Sequence, residues 1–390
     1  MAEASHDKSK YFPERFRQLC PFASEFAKAY AQMSKEEGGA VFFHYQNLVP
    51  VVGPMATAHY DEALDEMGLS RTEARRYDRQ VSLVMTMAAW YARFVYYGKQ
   101  IFELTPELAE EFLHTDVDAI LAGDIVLPFP VIYLHWGAQP ELRLPDGSPE
   151  GAYVQEVKPG QVEVNVCLAQ PDFAPYRHAW LEERGSGMSL TLVLGQKELP
   201  IEDVIAQSMD FSKLDTAPET SRADDESDRH YIERNVQLIT GQREVASQIL
   251  RIVANALIYI DQSGGQGRTR WPDDAPKGML AKLEGAAKGS KQEKKLLSQL
   301  SSMGYSSVRL FGEELGQRPP LEGATATGRT VAAHWRRGHW RRQAFGPGRA
   351  ERKLIRIRPV WVGAGPAGSS EGEPGRAYQV DAAEEEGKAD

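Results

Sequence analysis

Cysteine is almost absent from this sequence. Cys20 and Cys167 are its only two thiols among 390 residues, which is too few for a disulfide framework or a four-thiolate zinc site. Sparse cysteine is typical of proteins in a reducing compartment, so we expect a cytoplasmic protein. The sequence indicates no cofactor and no metal ion.

Long apolar runs are also missing. No stretch approaches the roughly 18 apolar residues that a membrane-spanning helix requires. The first ten residues, MAEASHDKSK, are polar and lack the apolar core of a signal peptide. We therefore expect no membrane partner.

Residue patterns typical of an active site are missing as well. The glycine-rich stretch at 264–267 is not followed by the Lys-Ser/Thr pair of a phosphate-binding loop. His334 and His339 are five residues apart, and no cysteine or carboxylate pattern beside them completes a metal site. The sequence thus predicts no catalytic residue and no metal ligand, and we expect a non-enzymatic protein.

The chain does contain enough hydrophobic material for a sizeable core, with 42% hydrophobic residues and 15 Tyr, 14 Phe and 7 Trp. The hydrophobic period changes along the chain and predicts an α+β fold: a helical N-terminal region, a small antiparallel sheet, a second helical region and a C-terminal basic β-hairpin. The predicted segments are residues 1–123 (helical), 124–211 (antiparallel β), 212–230 (acidic loop), 231–304 (helical), 305–363 (β and basic hairpin) and 364–390 (disordered acidic tail).

Local patterns within these segments predict individual helices and an extended segment. Apolar residues at helical spacing predict helices over residues 71–102 and 231–260. Residues 41–52 form an apolar run broken by a proline, which predicts an extended segment before a helix at 57–67. Residues 277–303 carry a weaker, lysine-rich helical pattern that two glycines interrupt.

Positive charge is in deficit overall, since the formal net charge of the protein is −10. One block of the chain nevertheless carries a net positive charge. Residues 329–358 hold ten Lys or Arg residues against the single acid Glu351. Like charges this close repel one another unless an anion faces them. The candidate partner-binding side chains of this basic block are His334, Trp335, Arg336, Arg337, His339, Trp340, Arg341, Arg342, Arg349, Arg352, Arg356 and Arg358.

The basic block has the pattern of a β-hairpin. Two strands, at 330–342 and 353–362, flank the turn sequence FGPG at 345–348. The glycines of this sequence suit a tight turn, because glycine accepts backbone conformations that other residues avoid. We therefore expect one basic hairpin near the C-terminal end of the chain.

Alternation along the second strand predicts that Ile355 and Ile357 pack inward while Arg356 and Arg358 face outward. Outward arginines suit bidentate contacts with phosphate or carboxylate, and the tryptophans of the block suit stacking. The block would then bind RNA, or an acidic or backbone-rich protein. The alternative is a purely structural hairpin, whose arginines pair with the protein's own surplus acids.

Two short motifs in the block carry a resemblance to a known family. The sequence RGHW at 337–340 is followed by a Gly-rich turn, a basic strand and the sequence RPVWV at 358–362. This order resembles the C-terminal signature of the second-described family of type V-A anti-CRISPR proteins, found on phages and conjugative elements. The layout of the other segments is similar over residues 15–363, including LPFPVIY at 127–133. The chain departs from the family in its longer acidic tail and its longer loop at 212–229.

The resemblance implies an inhibitor from a mobile element. Such an inhibitor lowers production of the type V-A CRISPR effector nuclease by recognising its nascent N-terminal polypeptide, after which the encoding mRNA is lost. The implied partner of this chain is therefore a nascent polypeptide, from a CRISPR effector or from another host defence protein. Contact with the ribosome or its mRNA is implied as well.

An inhibitor of this kind needs a peptide-binding surface. We place the candidate peptide groove at the junction of helices and sheet, at Tyr133, His135 and Trp136. The basic block suits the contact with a ribosome or mRNA. The alternative function is an RNA-binding protein or ribonuclease that acts through residues 329–358. The sequence leaves the oligomeric state open.

Overall fold

The computed structural model of the chain describes residues 10–36, 45–70, 72–73, 75–144, 147–169, 186–209, 228–265, 267–272, 275–303, 305–316 and 334–362. The predicted acidic tail at 364–390 lies outside these residues, as does the predicted acidic loop up to residue 227. The predicted α+β class is confirmed.

The elements are numbered here in chain order. The helices are α1 (Phe12–Leu19), α2 (Ala23–Glu36), α3 (Tyr45–Met67), α4 (Arg75–Tyr96), α5 (Pro106–Leu113), α6 (Ile201–Ser208), α7 (Asp228–Gln262), α8 (Lys277–Glu284), α9 (Lys291–Ser302) and α10 (Glu313–Gly316). The strands are β1 (Ile101–Leu104), β2 (Thr115–Asp116), β3 (Val131–His135), β4 (Pro149–Lys158), β5 (Gln161–Leu168), β6 (Ser186–Val193), β7 (Arg268–Arg270), β8 (Val308–Phe311), β9 (His334–Arg336), β10 (Gly338–Phe345), β11 (Glu351–Ile357) and β12 (Val360–Val362).

A mixed sheet of seven strands lies at the centre, in the order β6-β5-β4-β3-β1-β8-β7. β1 pairs in parallel with both β3 and β8, and the other neighbours are antiparallel. The predicted antiparallel region at 124–211 supplies β3 to β6. The remaining three strands come from the predicted N-terminal segment and from the segments after residue 231, so one sheet joins distant parts of the chain.

Helices cover both faces of this sheet. Alternation along β3 sends Tyr133 toward α1–α4 and Leu134 toward α5–α7, and both side chains are fully buried. Tyr153 of β4 joins the first of these cores, and Trp340 of β10 joins the second. The hairpin is therefore attached to the layer that contains α5 and α7.

The extended segment predicted for residues 41–52 is wrong from Tyr45 onward, because α3 begins there. The helix includes Pro50 and Pro54, each of which removes one helical hydrogen bond. Both prolines lie on the exposed side of the helix, where water can replace the lost bonds. Tertiary packing of the opposite side, at Val52 and neighbouring residues, outweighs the local penalty.

The helix predicted over residues 71–102 is shorter than expected and ends at Tyr96. Gly98 (φ 87°) and Lys99 (φ 52°) adopt left-handed backbone conformations, which turn the chain out of the helix. The residues that follow form β1, and all four of them, three apolar residues and Glu103, are buried. A buried strand and a buried helix look alike in such a short apolar run.

Candidate interaction surface on the C-terminal hairpin

The described part of the basic block forms the predicted hairpin. β10 and β11 pair antiparallel along seven residue positions. In the turn between them, Gly346 (φ 75°) and Gly348 (φ 66°) occupy the left-handed region that glycine enters without steric cost. The short strand β2 joins the other edge of β10 in parallel. The hairpin is thereby attached to the segment that follows α5.

Trp340 anchors the hairpin to the core. Its side chain is 2% exposed, and its Nε1–H donates a hydrogen bond to Oδ1 of Asn255 at 2.6 Å. Asn255 of α7 in turn donates from Nδ2 to the carbonyl oxygens of Phe112 and Thr115, both at 3.2 Å. One buried amide thus connects the hairpin, α7 and the end of α5. The Trp340 ring is part of the core and not of an exposed binding surface.

Arg356 and Arg358 converge on one buried carboxylate. Glu111 of α5 accepts a hydrogen bond from Nη2 of Arg356 at 2.5 Å and also binds Nε and Nη2 of Arg358. The guanidinium carbon of Arg356 lies 4.7 Å from the ring centre of Phe112 and 5.4 Å from that of Tyr259. Burial lowers the pKa of Arg356, and the Glu111 carboxylate acts in the opposite direction. The cation is therefore held inside by one carboxylate and two aromatic rings.

The predicted orientation of β11 is therefore wrong. Arg356 stands opposite Trp340 on the inner face of the hairpin, so alternation places Ile355 and Ile357 on the outer face. Both isoleucines are half-buried, whereas the side chain of Arg356 is only 8% exposed. The alternation is as predicted, but its phase is reversed because Glu111 and the aromatic rings accept the arginine in the interior.

Two more arginines of the block pair with acids of the protein. Arg342 binds the carboxylate of Asp124 and donates from Nε to the carbonyl oxygen of Ala119 at 3.2 Å. Arg337 lies 3.0 Å from Asp116, but its side chain is 75% exposed, so this surface pair contributes little to stability. The structural alternative, in which the arginines pair with the protein's own acids, thus describes part of the block.

The other part of the block remains open to a partner. Arg341, Arg349, Arg352 and Lys353 are exposed and pair with no acid among the residues that the structure describes. Phe345 is 39% exposed beside them, with Nζ of Lys353 at 5.9 Å from its ring centre. The outer face of the hairpin is defined as His339, Arg341, Gln343, Phe345, Glu351, Lys353, Ile355 and Ile357, and Arg349 lies in the adjoining turn.

Three candidate residues precede the hairpin. His334, Trp335 and Arg336 form β9, which pairs antiparallel with β12. Their side chains are not among those described, so their contacts with a partner stay a prediction.

The candidate groove residues lie inside the protein. Tyr133, His135 and Trp136 are 0%, 3% and 1% exposed. Tyr133 and His135 face the N-terminal helices, while Trp136 lies in the other core and donates from Nε1 to the carbonyl oxygen of Pro149 at 3.1 Å. In the described structure these side chains are closed to a peptide, and their role in peptide binding stays a prediction.

No sequence pattern predicts the buried ionic cluster that lies near His135. Glu103 of β1 accepts hydrogen bonds from Tyr11 at 2.6 Å and from Arg270 at 3.2 Å. Burial raises the pKa of Glu103, but hydrogen bonds and nearby cations outweigh burial and bring the pKa below its ordinary value. Arg15 of α1 pairs with the buried carboxylate of Glu150. Tyr11 and Arg270 are 259 positions apart, so no local pattern indicates this contact.

His135 is held in its neutral form beside this cluster. Its ring meets the ring of Tyr11 edge-on, with 5.2 Å between the two centres. Nδ1 is buried and has no hydrogen-bond partner among the described residues. Burial, together with the nearby charge of Lys10, lowers the pKa of His135 to about 3.

Two kinds of feature are not found in the described residues. They contain no group of three or more His, Cys, Asp or Glu side chains that could hold a metal ion. The helices of the same ranges include none long and apolar enough to cross a membrane.

Residues 102–364 match the model of the AcrVA2-like family, described as the anti-CRISPR type V subtype A2 family. The chain belongs to this family. The match covers about two thirds of the 390 residues. Among solved structures, the chain resembles the crystal structure of AcrVA2 at 12% identity and a TM-score of 0.44, with 90% of this chain and 97% of that chain covered. None of the curated proteins matches the chain.

Membership of the AcrVA2-like family confirms the resemblance carried by the RGHW and RPVWV motifs. It also supports the prediction of an anti-CRISPR inhibitor from a mobile element. The matched range contains Glu111, Asn255 and Trp340, so the residues that orient the outer face all lie in the part of the chain that defines the family.

Proposed function

We propose that this AcrVA2-like protein lowers the production of a CRISPR effector, or of another host defence protein, by binding its nascent N-terminal polypeptide, with loss of the encoding mRNA. The family match over residues 102–364 carries the proposal. The protein acts by binding and contributes no catalytic step, and its partners are the nascent chain and the ribosome or mRNA that presents it.

The outer face of the hairpin supports this proposal because it combines charge with apolar area. Phe345, Ile355 and Ile357 supply apolar surface, and Arg341 and Lys353 lie next to them on the same face. Such a face suits an extended polypeptide with apolar and acidic side chains. The anchor at Trp340 and the buried pairs at Glu111 hold this face in a fixed orientation.

Two recoded effector genes test the proposal in cells that express a type V-A effector nuclease. The first gene carries synonymous codons over its N-terminal segment, so the RNA changes and the peptide stays the same. The second carries compensating frameshifts, so the RNA is nearly unchanged and the peptide differs. We expect the protein to reduce effector protein and mRNA from the first gene and to leave the second gene unaffected, measured by immunoblot and quantitative RT-PCR.

The alternative function, RNA binding or RNA cleavage through residues 329–358, has one observation in its favour. Arg341, Arg349, Arg352 and Lys353 remain exposed and unpaired with acids in the described part of the chain. Under this alternative the frameshifted gene would be suppressed and the synonymous gene would escape. If neither gene is suppressed, both functions are contradicted for this effector.

A further inference from the structure

A second concentration of positive charge lies outside the basic block, on α8, α9 and the turn between them. Residues 277–303 contain six lysines and two glutamates, which gives this segment a net charge of +4 in a protein of −10. None of the six lysines forms an ion pair with a described residue, and all six are exposed. They are Lys277, Lys282, Lys288, Lys291, Lys294 and Lys295.

The arrangement of these lysines is unfavourable for the isolated helices. Lys291 lies three and four residues before Lys294 and Lys295, so the three cations share one side of α9 and repel one another. Lys277 and Lys291 are also the first residues of their helices, where the helix dipole is positive. Positive potential is therefore concentrated on this segment, and an external anion would relieve the repulsion.

The acids of the segment do not neutralise it. The carboxylate of Glu293 accepts a hydrogen bond from the backbone N–H of Gly289, and the hydroxyl of Ser290 accepts one from the N–H of Glu293. This reciprocal cap directs the Glu293 side chain toward its own helix end. The remaining acid, Glu284, is exposed and forms no ion pair with a described residue.

The packing of α9 leaves the lysines facing solvent. Leu296 and Leu300 are 8% and 0% exposed and hold one side of the helix against the protein. At 100° per residue, Lys291 and Lys294 lie roughly opposite Leu296. The charged side of α9 is therefore the side away from the core.

The chemistry of this surface favours RNA over a protein or a lipid surface. Lysine is depleted in protein–protein interfaces, where aromatic residues and arginine dominate, and this segment contains neither type. A lipid-binding helix needs a continuous exposed apolar side, whereas Leu297 and Met303 are the large apolar residues exposed on described α9 and its cap. Flexible ammonium groups suit the evenly charged phosphate backbone, which they contact without reading sequence.

We infer that α8 and α9 form a docking surface for the phosphate backbone of RNA, with no preference for base sequence. This surface is separate from the hairpin and from the proposed recognition of a nascent polypeptide. RNA binding here would therefore hold whether or not an effector is suppressed.

Fluorescence anisotropy with a labelled oligouridine and the full chain tests the inference. One variant carries Gln at Lys288, Lys291, Lys294 and Lys295, and a matched variant on the hairpin carries Gln at Arg341, Arg349, Arg352 and Lys353. The first variant should weaken binding by about tenfold or more and lower the salt slope by about 2.8, because each phosphate contact on a single strand contributes about 0.7. The hairpin variant should lose less affinity for the RNA than the lysine variant does.

A charge-retaining variant with Arg at the same four positions of the lysine segment should keep the wild-type affinity, and urea unfolding checks that every variant folds. Equal weakening in both Gln variants would overturn the inference, because net charge and not this surface would then control binding. An unchanged salt slope in the lysine variant would overturn it too. Binding of the protein to phosphatidylserine vesicles or to polyglutamate, with no binding to the RNA, would overturn it as well.

Discussion

His135 is buried as a neutral side chain although charged groups surround it. Lys10, Arg15, Glu103 and Arg270 all act on its pKa, but burial has the largest effect and lowers the pKa to about 3. The ordinary pKa of histidine is about 6.5. In the window between these values the unfolded chain binds a proton that the folded chain rejects. The contribution of His135 to stability is therefore complete above pH 6.5 and is lost as the pH falls toward 3.

The difference between the folded and unfolded pKa values of His135 predicts a pH dependence of stability that comes from this one residue. Relative to a His135→Phe variant, which keeps an aromatic ring beside Tyr11 and cannot titrate, the wild-type protein should lose about 2–3 kcal/mol of unfolding free energy between pH 7 and pH 4.5. Urea unfolding of both proteins across this range measures the difference. A constant difference between the two proteins would show that His135 is not held neutral in the fold.

At the scale of single elements, β11 carries two kinds of cation. Arg356 faces inward to Glu111 and is nearly inaccessible, whereas Lys353 faces outward beside Phe345. A buried arginine must keep its carboxylate partner, because loss of Glu111 would leave the Arg356 cation buried without compensation. An exposed cation with no acidic partner has no such constraint. The inward and outward cations therefore contribute differently to the stability of the fold, even though they belong to one hairpin.

Replacement of Arg356 with Gln should lower the unfolding free energy by about 3 kcal/mol, since Glu111 would remain buried with Arg358 alone. Replacement of Arg341 with Gln removes the same charge from the outer face and should change it by no more than about 0.5 kcal/mol. Both values come from urea unfolding followed by circular dichroism. Equal losses in the two variants would contradict the assignment of Arg356 to the inner face.

At the scale of the whole molecule, the family match begins inside the central sheet. Residue 102 lies in β1, so the matched range excludes α1–α4 and the first residue of that strand. Those helices cover Val131, Tyr133 and Tyr153, which would face solvent in their absence. The matched part of the chain and the N-terminal helices therefore share one core.

A chain limited to residues 102–364 should for this reason fail to form the native structure. We expect it to bind the dye ANS and to unfold without cooperativity, because one face of the sheet is uncovered. A chain of residues 10–362 is the control and should unfold cooperatively without binding the dye. Cooperative unfolding of the shorter chain, with native near-UV circular dichroism, would contradict a shared core.

The α+β class, the glycine turn of the hairpin and the family could all be predicted from the sequence by itself. Each depends on information that is local: hydrophobic period, the conformational freedom of Gly346 and Gly348, and the short motifs at 337–340 and 358–362. The strands predicted at 330–342 and 353–362 overlap β10 and β11 for the same reason, since alternation along a strand is a property of neighbouring residues, but the structure ends β10 at Phe345 and begins β11 at Glu351.

Only the tertiary structure decided which side of each strand faces inward. Alternation sorts the residues of β11 into two sets, but Glu111, Phe112 and Tyr259 determine that the set with Arg356 faces inward. These partners come from α5 and α7, far away in sequence, as do the strands that complete the central sheet. Burial and charge pairing depend on such distant contacts, and no local pattern contains them.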